Sequence, residues 1–306
     1  VRPDNPYILA DHLACAAYEL PISEHDLPIF GEKASGVLEV LEEAGSVARS
    51  AGKWIYTGRD YPASGVNIRS TGGSTYSIRM VSSPETVIGT VEEASAFMMI
   101  YRGAVYLHQG ESYVVEKLDL EEKRAFVARK DVDFYTVPRS WTEVRVVSEY
   151  EQRRQGRGTA HFGEIEVTTQ VTGYWRRQAL TDMTLDTEDL ELPAQTLRTQ
   201  GLWFTFDRPL PSEVLERAEG VEGGSHALEH GFIGILPICA LCDRQDIGGA
   251  SHPLHPELGV PAVFVYDGHP GGVGISESAF EVLDDLLRKT LSAIEECPCA
   301  EGCPSC

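Results

Sequence analysis

The chain ends on Cys297-Pro298-Cys299-Ala300-Glu301-Gly302-Cys303-Pro304-Ser305-Cys306. Four cysteines in ten residues, spaced C-x-C-x3-C-x2-C, constrain the fold more than any other stretch. Neighbours this close pair as disulfides only with strain, because a bridge requires a particular Cα separation and torsion. They suit a tetrahedral ion instead. Zinc takes four thiolates at about 2.3 Å, and short turns holding Gly or Pro let the chain wrap it. Buried packing cysteines in a reducing compartment are the alternative, but such cysteines do not usually come this densely. A closed four-sulfur site leaves no position for water. The expectation is therefore one structural, not catalytic, zinc ion on Cys297, Cys299, Cys303 and Cys306.

The 306 residues suggest two or three domains. With 42% hydrophobic and 24% charged residues, the composition is that of a soluble protein able to bury a core. No apolar run approaches the ~20 residues that span a bilayer, so no membrane partner is expected. The opening Val1-Arg2-Pro3-Asp4-Asn5-Pro6 is neither a signal peptide nor an initiating Met, and reads as the start of a piece of something longer. Of the seven cysteines, six fall in roughly the last 70 residues. A secreted disulfide scaffold would be shorter and more evenly stapled, which points to a reducing cytoplasm. The net charge of −21 repels nucleic acid on average. Any DNA contact then needs a local basic patch or a neighbouring domain that supplies the positive field.

Residues 1–72 read as a winged-helix-like unit. Asn5-Pro6 precedes a helical pattern through Tyr7, Leu9, Leu13 and Ala17, which Pro21 stops. Ser23, with Asp26 three residues on, resembles a capping box. A third helix is expected from Ala34 to about Ala48, followed by a short strand over residues 52–58. The third helix of such a unit is the usual DNA reader. Here it carries Glu39, Glu42 and Glu43, which argues for a scaffold or protein-contact role.

Residues 73–208 are mostly strands. Aromatic and β-branched residues alternate over 76–81, 104–108, 112–118 and 124–129, with breaks at Gly89, Gly110 and residues 119–122, as in an antiparallel β-barrel or sandwich. Two longer strands, 142–150 and 163–175, flank a basic tip with Arg153, Arg154 and Arg157. Arg176 and Arg177 stand beside Tyr174 and Trp175. Arginine for phosphate and rings for base stacking suit single-stranded nucleic acid. A solvated hairpin end is the alternative.

Residues 209–306 read as an α/β module. Helices are expected from Ser212, from about Ser225 to Leu236, and from Ser276 to about Glu295, with a buried strand over 261–267. The whole is an α+β, multidomain chain: winged helix, barrel, zinc-binding module.

Two further stretches are rich in reactive side chains. Cys239 and Cys242 could supply half of a split zinc ribbon, but the terminal run already offers four ligands locally, and packing is the simpler role. Asp243, Asp246, His252, His255 and His269 could in principle build a hydrolytic metal centre. No HExxH motif accompanies them, and loop and cap roles fit as well. Gly268, Gly271, Gly272 and Gly274 precede a helix, where backbone N–H groups can hold an anion. The pattern is not a Walker A loop, and none occurs elsewhere, so this chain by itself is not expected to hydrolyse ATP.

Three blocks carry a family likeness. They are His108-Gln109-Gly110-Glu111-Ser112-Tyr113-Val114-Val115-Glu116-Lys117-Leu118-Asp119; Cys242-Asp243-Arg244-Gln245-Asp246-Ile247-Gly248-Gly249 with Tyr266-Asp267-Gly268-His269-Pro270-Gly271-Gly272; and the terminal cysteine run. Asn5-Pro6-Tyr7 and Cys15-Ala16-Ala17-Tyr18-Glu19 fit as well. The chain resembles the C-terminal region of the MrfA and Hrq-type superfamily 2 DNA helicases, relatives of the SftH-type translocases. The resemblance implies ATPase lobes upstream, where ATP and Mg would bind, and 3′-to-5′ translocation by the whole enzyme. It implies a DNA repair role near the nucleoid, on single strands or DNA with a 3′ tail. It also implies a zinc module at the four terminal cysteines. The expected nucleic-acid contacts are Arg153, Arg154, Arg157, Trp175, Arg176 and Arg177. The competing classes are a protein-interaction module or homo-oligomer, which the acidic surface favours, and a free-standing metal-dependent hydrolase.

Overall fold

The computed structural model describes residues 3–66, 75–216 and 220–299. The chain begins with α1 (Pro6–Glu19), β1 (Ile22–Ser23), α2 (Leu27–Phe30), α3 (Ala34–Glu43), β2 (Val47–Ser50) and β3 (Lys53–Tyr56). Next come β4 (Thr75–Met80), β5 (Ser83–Glu92), α4 (Glu93–Met99), β6 (Val105–His108), β7 (Glu111–Asp119) and β8 (Arg124–Arg129). Four long or paired strands follow: β9 (Phe134–Gln155), β10 (Gly158–Gln178), β11 (Thr184–Asp189) and β12 (Gln195–Phe206). The chain closes with α5 (Ser212–Leu215), α6 (Gly220–Ala240), β13 (Ile247–His252), β14 (Ala262–Asp267), α7 (Ile275–Glu281) and α8 (Leu283–Glu295).

Contacts divide the chain into two units. One comprises Val1–Gly72, Val144–Val167 and Leu197–Cys306; the other comprises Gly73–Glu143 and Thr168–Thr196. This division differs from one read along the sequence, because β9, β10 and β12 each contribute residues to both.

In the first unit, α1 and α3 pack over a three-stranded sheet of order β1-β3-β2. Leu9, Leu13, Ala17, Val37, Leu38, Val47 and Trp54 fill the space between them. Asn5 caps α1, its side-chain oxygen accepting from Tyr7 N at 2.8 Å, and Pro6 takes the first helical position, where its missing N–H costs nothing. The expected cap at Ser23 is different. Ser23 lies in β1, opposite Lys53, and Asp26 turns back to accept from Ser23 N (2.8 Å) and Ser23 Oγ (2.6 Å), so α2 starts only after Asp26. The third helix stops at Glu43, and Val47 is already strand.

The same unit holds a larger sheet. There β10 pairs with both β9 and β12, and the sheet continues β12-β14-β13. Trp203 stands opposite Phe264, and β13 pairs antiparallel with β14 from Ile247↔Asp267 to His252↔Ala262. All six residues of β14 are buried. Alternation assigns its side chains to two faces. Leu202, Phe204, Val263 and Val265 pack with Phe232 of α6, Phe280 of α7 and Leu283 of α8. Trp203, Phe264 and Tyr266 pack with Val144, Ile165 and Ala250. The helix expected over 276–295 is two helices, broken at Val282.

The second unit is built on a five-stranded sheet of order β5-β4-β8-β7-β6. The expected closed antiparallel barrel is corrected here. The sheet is open, with β5 and β6 at its edges, and β4 runs parallel to β8, from Ser77↔Arg124 to Met80↔Val127. Alternating residues report a strand with one buried face, and a curved open sheet satisfies that as well as a barrel does. Tyr76, Ile78, Phe97, Tyr101, Val115, Val127 and Tyr174 form the core of this unit.

Candidate functional site

Helix α8 buries Leu283, Leu286 and Thr290, ends at Glu295, and releases the chain directly into the cysteine run. Cys297 N still reaches back to Ile294 O at 3.4 Å. Cys297 is half-buried and Cys299 exposed. Cys303 and Cys306 lie outside the described residues. Two thiols two residues apart, presented at a helix end rather than packed in a core, fit the donor set of a four-thiolate zinc site. Cys239 and Cys242 are placed otherwise. Both pack against the core beneath α6, and burial, with Asp246 and Asp267 nearby, pushes the Cys242 thiol up to about 11. Both serve that core as packing groups.

The glycine-rich loop before α7 does hold an anion, supplied by the protein itself. The wholly buried Asp267 carboxylate accepts from the backbone N–H groups of Val273 (2.6 Å), Gly274 (2.9 Å), Ile275 (3.1 Å) and Ser276 (2.8 Å), and from Ser276 Oγ (2.6 Å). An external phosphate would have to displace it. Asp243 and Asp246 form a capping box on the short turn 244–246, and Asp246 Oδ1 meets His269 Nε2 at 3.0 Å. His255 is buried with both nitrogens engaged: Nδ1 accepts from Leu258 N (3.3 Å) and Nε2 donates to Val144 O (2.8 Å). No lone pair is left for a metal, and the five residues considered for a hydrolytic centre do not converge. Among the described residues, the donors that do converge are His226, Glu229 and His230 on α6, which the sequence reading passed over.

The basic tip is tighter than expected. Strands β9 and β10 run to within two residues of each other, leaving Gly156-Arg157 as the connection, with Gly156 at φ +52°. The left-handed φ suits glycine. Arg154 forms a two-pronged pair with Asp207, Nη1 to Oδ1 at 2.8 Å and Nη2 to Oδ2, and this bond holds the Asp207 carboxyl below its usual range. Arg157 Nη2 donates to Pro209 O at 2.9 Å. The Arg153 guanidinium carbon lies 4.8 Å from the Phe280 ring centroid. Among the described residues, neither Arg153 nor Arg157 forms an ion pair with a carboxylate.

The other basic pair belongs to the second unit. Arg176 bonds Asp186 (3.0 Å), Glu188 (2.8 Å) and the Tyr174 hydroxyl (3.1 Å), and Tyr174 itself donates to Glu188 (2.7 Å). Two carboxylates neutralise it. Arg177 sits 6.0 Å from the half-buried Trp175 ring. In α3 the residues Glu39, Glu42 and Glu43 are all exposed, so its outer face is acidic.

The first unit thus combines a winged helix whose outer helix is acidic with an α/β portion that leads into the cysteine run. Comparisons with known proteins show what the chain resembles. The winged helix domain of the ATP-dependent helicase HRQ1 matches residues 1–71, and the MrfA Zn-binding domain matches residues 228–306. The chain is 32% identical over 313 residues to the uncharacterized ATP-dependent helicase YprA of Bacillus subtilis, covering 100% of this chain and 41% of that protein. It is 26% identical over 319 residues to the ATP-dependent helicase HRQ1 of Saccharomyces cerevisiae, covering 99% of this chain and 29% of the relative. The crystal structure of the DUF1998 helicase MrfA matches all of the chain with a TM-score of 0.69 at 28% identity, over 43% of its own length. MrfA bound to DNA matches all of the chain with a TM-score of 0.59 at 30% identity, over 40% of its length. Over its whole length the chain is similar to the C-terminal region of the MrfA- and Hrq1-type helicases. It spans about two fifths or less of the length of the relatives it matches.

Proposed function

We propose that this chain is the C-terminal accessory region of an ATP-dependent 3′-to-5′ DNA helicase or translocase that acts in DNA repair, in the cytoplasm at the nucleoid. Its partners are then the upstream motor lobes, which hold ATP and Mg, and single-stranded DNA or DNA with a 3′ tail. The observation that carries the reading is the match of the whole chain to MrfA solved in complex with DNA. In the zinc module, Cys297, Cys299, Cys303 and Cys306 would hold one ion, which when bound cross-links the chain end.

For DNA contact, the basic side chains are not equal. Arg154 and Arg176 already face carboxylates, and releasing them to phosphate would leave Asp207, Asp186 and Glu188 to repel the strand. Arg153 and Arg157 carry charge without a paired carboxylate, and Arg177 lies over Trp175, so these are the favoured contacts, with Trp175 as the stacking ring. The test is salt-dependent binding of the intact protein to a labelled single strand. Removing one arginine that neutralises a phosphate lowers the slope of log K against log salt by about 0.7. Arg153→Glu/Arg157→Glu should lower both affinity and slope, whereas unchanged slopes would remove the tip from the interface.

A second reading has one observation in its favour. A cavity of about 670 Å³ lies between α1 and α3, lined by Tyr7, Ala10, Val37, Val40 and Leu41 with Asp11, Glu32 and Lys33 at its rim. Such a groove suits a protein partner or a second copy. A mass increase with concentration in the absence of DNA would support it.

A further inference from the structure

Helix α6 carries His226-Ala227-Leu228-Glu229-His230. Positions i, i+3 and i+4 of a helix share one face, so the two imidazoles and the carboxylate project together. Their donor atoms all lie within 4.8 Å of one another. The two rings meet edge to face, with centroids 4.4 Å apart. His226 Nδ1 stands 3.5 Å from Glu229 Oε2 and 3.4 Å from Ser251 Oγ.

Burial separates the three. His226 and His230 are exposed, whereas the Glu229 side chain is only 10% exposed. Glutamate is almost never buried without a compensating partner. Strand β13 is shaped to receive it. A Cβ at Gly249 would fall 2.7 Å from Glu229 Oε1 and 2.8 Å from its Cγ, so only glycine lets the carboxylate lie against the strand at this point. Its negative charge also contributes to raising the Tyr266 hydroxyl, after the larger effect of burial. The carboxylate is thus held with its cationic compensation still to come from the two imidazoles or from an ion between them.

We propose that His226, Glu229 and His230 form a second metal site, independent of the terminal cysteines, that takes a first-row divalent cation of the zinc, cobalt or nickel kind. Two imidazoles and a carboxylate are the mixed nitrogen–oxygen set these ions prefer, and three protein ligands leave coordination positions open to water or a further ligand. The ion neutralises Glu229 and ties the outer face of α6 to β13 through it. The exposed histidines give it a path in from solvent.

The test titrates the intact, chelator-stripped protein with Co²⁺ and follows both absorption and stoichiometry. Thiolate-bound cobalt gives an intense sulfur-to-metal charge-transfer band that nitrogen and oxygen donors lack, so the two sites separate spectroscopically. The wild-type protein should take up two equivalents, only one of them with that band. In His226→Ala/His230→Ala, both exposed positions, the thiolate band should remain and the second equivalent should vanish. Glu229→Gln keeps the shape but not the charge, and should weaken the second site by at least about tenfold, the lower end of what even outer-sphere changes cost. Unchanged stoichiometry in the histidine variant would overturn the site. Unchanged affinity in Glu229→Gln would reduce it to an adventitious histidine pair and overturn the three-ligand proposal.

Discussion

Asn5 Nδ2 donates to the carbonyl oxygen of Gly272, 267 residues further along the chain. It also donates to Pro270 O at 3.2 Å, while its own Oδ1 caps α1. One buried amide therefore serves two purposes with its two ends: it starts the first helix and ties that helix to the loop before α7. Asn5→Ala should lose the cap, about 1 kcal/mol, and leave buried carbonyls unpaired, about 1–3 kcal/mol more. Asn5→Asp separates the two effects, because it keeps the capping oxygen and removes the donor. Urea unfolding should show Asn5→Asp destabilised as well. A wild-type midpoint for that variant would mean that the link to Gly272 contributes nothing.

Asp267 is expected to be the most sensitive polar position in the first unit. Its carboxylate satisfies four consecutive N–H groups and the Ser276 hydroxyl. Asp267→Asn replaces one acceptor oxygen by a donor facing N–H groups. Hydrogen bonds to a charged group contribute about 1.5–3 kcal/mol each, so the loss should reach several kcal/mol. Thermal melts of the variant read it directly. Added sulfate should not rescue the variant if the loop is structural, and rescue would show that the loop can bind an external anion.

Two of the stretches that carried the family likeness meet in space. Asn5-Pro6-Tyr7 and His269-Pro270-Gly271-Gly272 are the two sides of the Asn5 link, and Gly271 lies against the Tyr7 ring. Local chemistry was legible: the pattern through Leu9, Leu13 and Ala17 marked α1, and residues 124–129 marked β8 with the observed bounds. Strand pairing was not. The parallel β4–β8 ladder joins residues more than forty positions apart, and nothing in either strand's alternation encodes its neighbour. The arginines were legible as a charge pattern but not as ion pairs, because Asp207, fifty-three residues from Arg154, reaches it only once β12 lies beside β10. The donor set on α6 was legible in principle as H-x-x-E-H, but Gly249, which admits its carboxylate, lies on another element.

Tyr266 should impose an alkaline limit on stability. Burial first, and Glu229 second, push its hydroxyl up to about 12. An unfolded tyrosine ionises near 10. The folded state therefore holds the proton more tightly, and its contribution is fully present below about pH 10 and is lost as pH rises toward 12. The sign follows from linkage: where the folded state binds more protons, stability falls with pH. A rise of this size in the folded state corresponds to roughly 2–3 kcal/mol. Tyr266→Phe should flatten the difference in unfolding free energy between about pH 9 and 11.5, relative to wild type. Parallel pH profiles for the two proteins would mean that the hydroxyl ionises normally.

Removing the terminal metal should act on the helices before it. Helix α8 packs on α6 through Leu283, Leu286 and Thr290, and past Glu296 its end is the cysteine run. Structural zinc supplies apparent binding energies of about 10–16 kcal/mol, comparable with the whole stability of a domain, about 5–15 kcal/mol. Stripping the ion, or Cys303→Ser, should therefore melt α7 and α8 and expose the stretch 275–299 to protease. The β4–β8 sheet has its own core of Tyr76, Ile78, Val115 and Val127, and its amides should keep their protection against hydrogen exchange. An unchanged protease pattern after chelation would show that the cysteines are not structural. Simultaneous loss of protection in β4 and β8 would show that the two units fold as one.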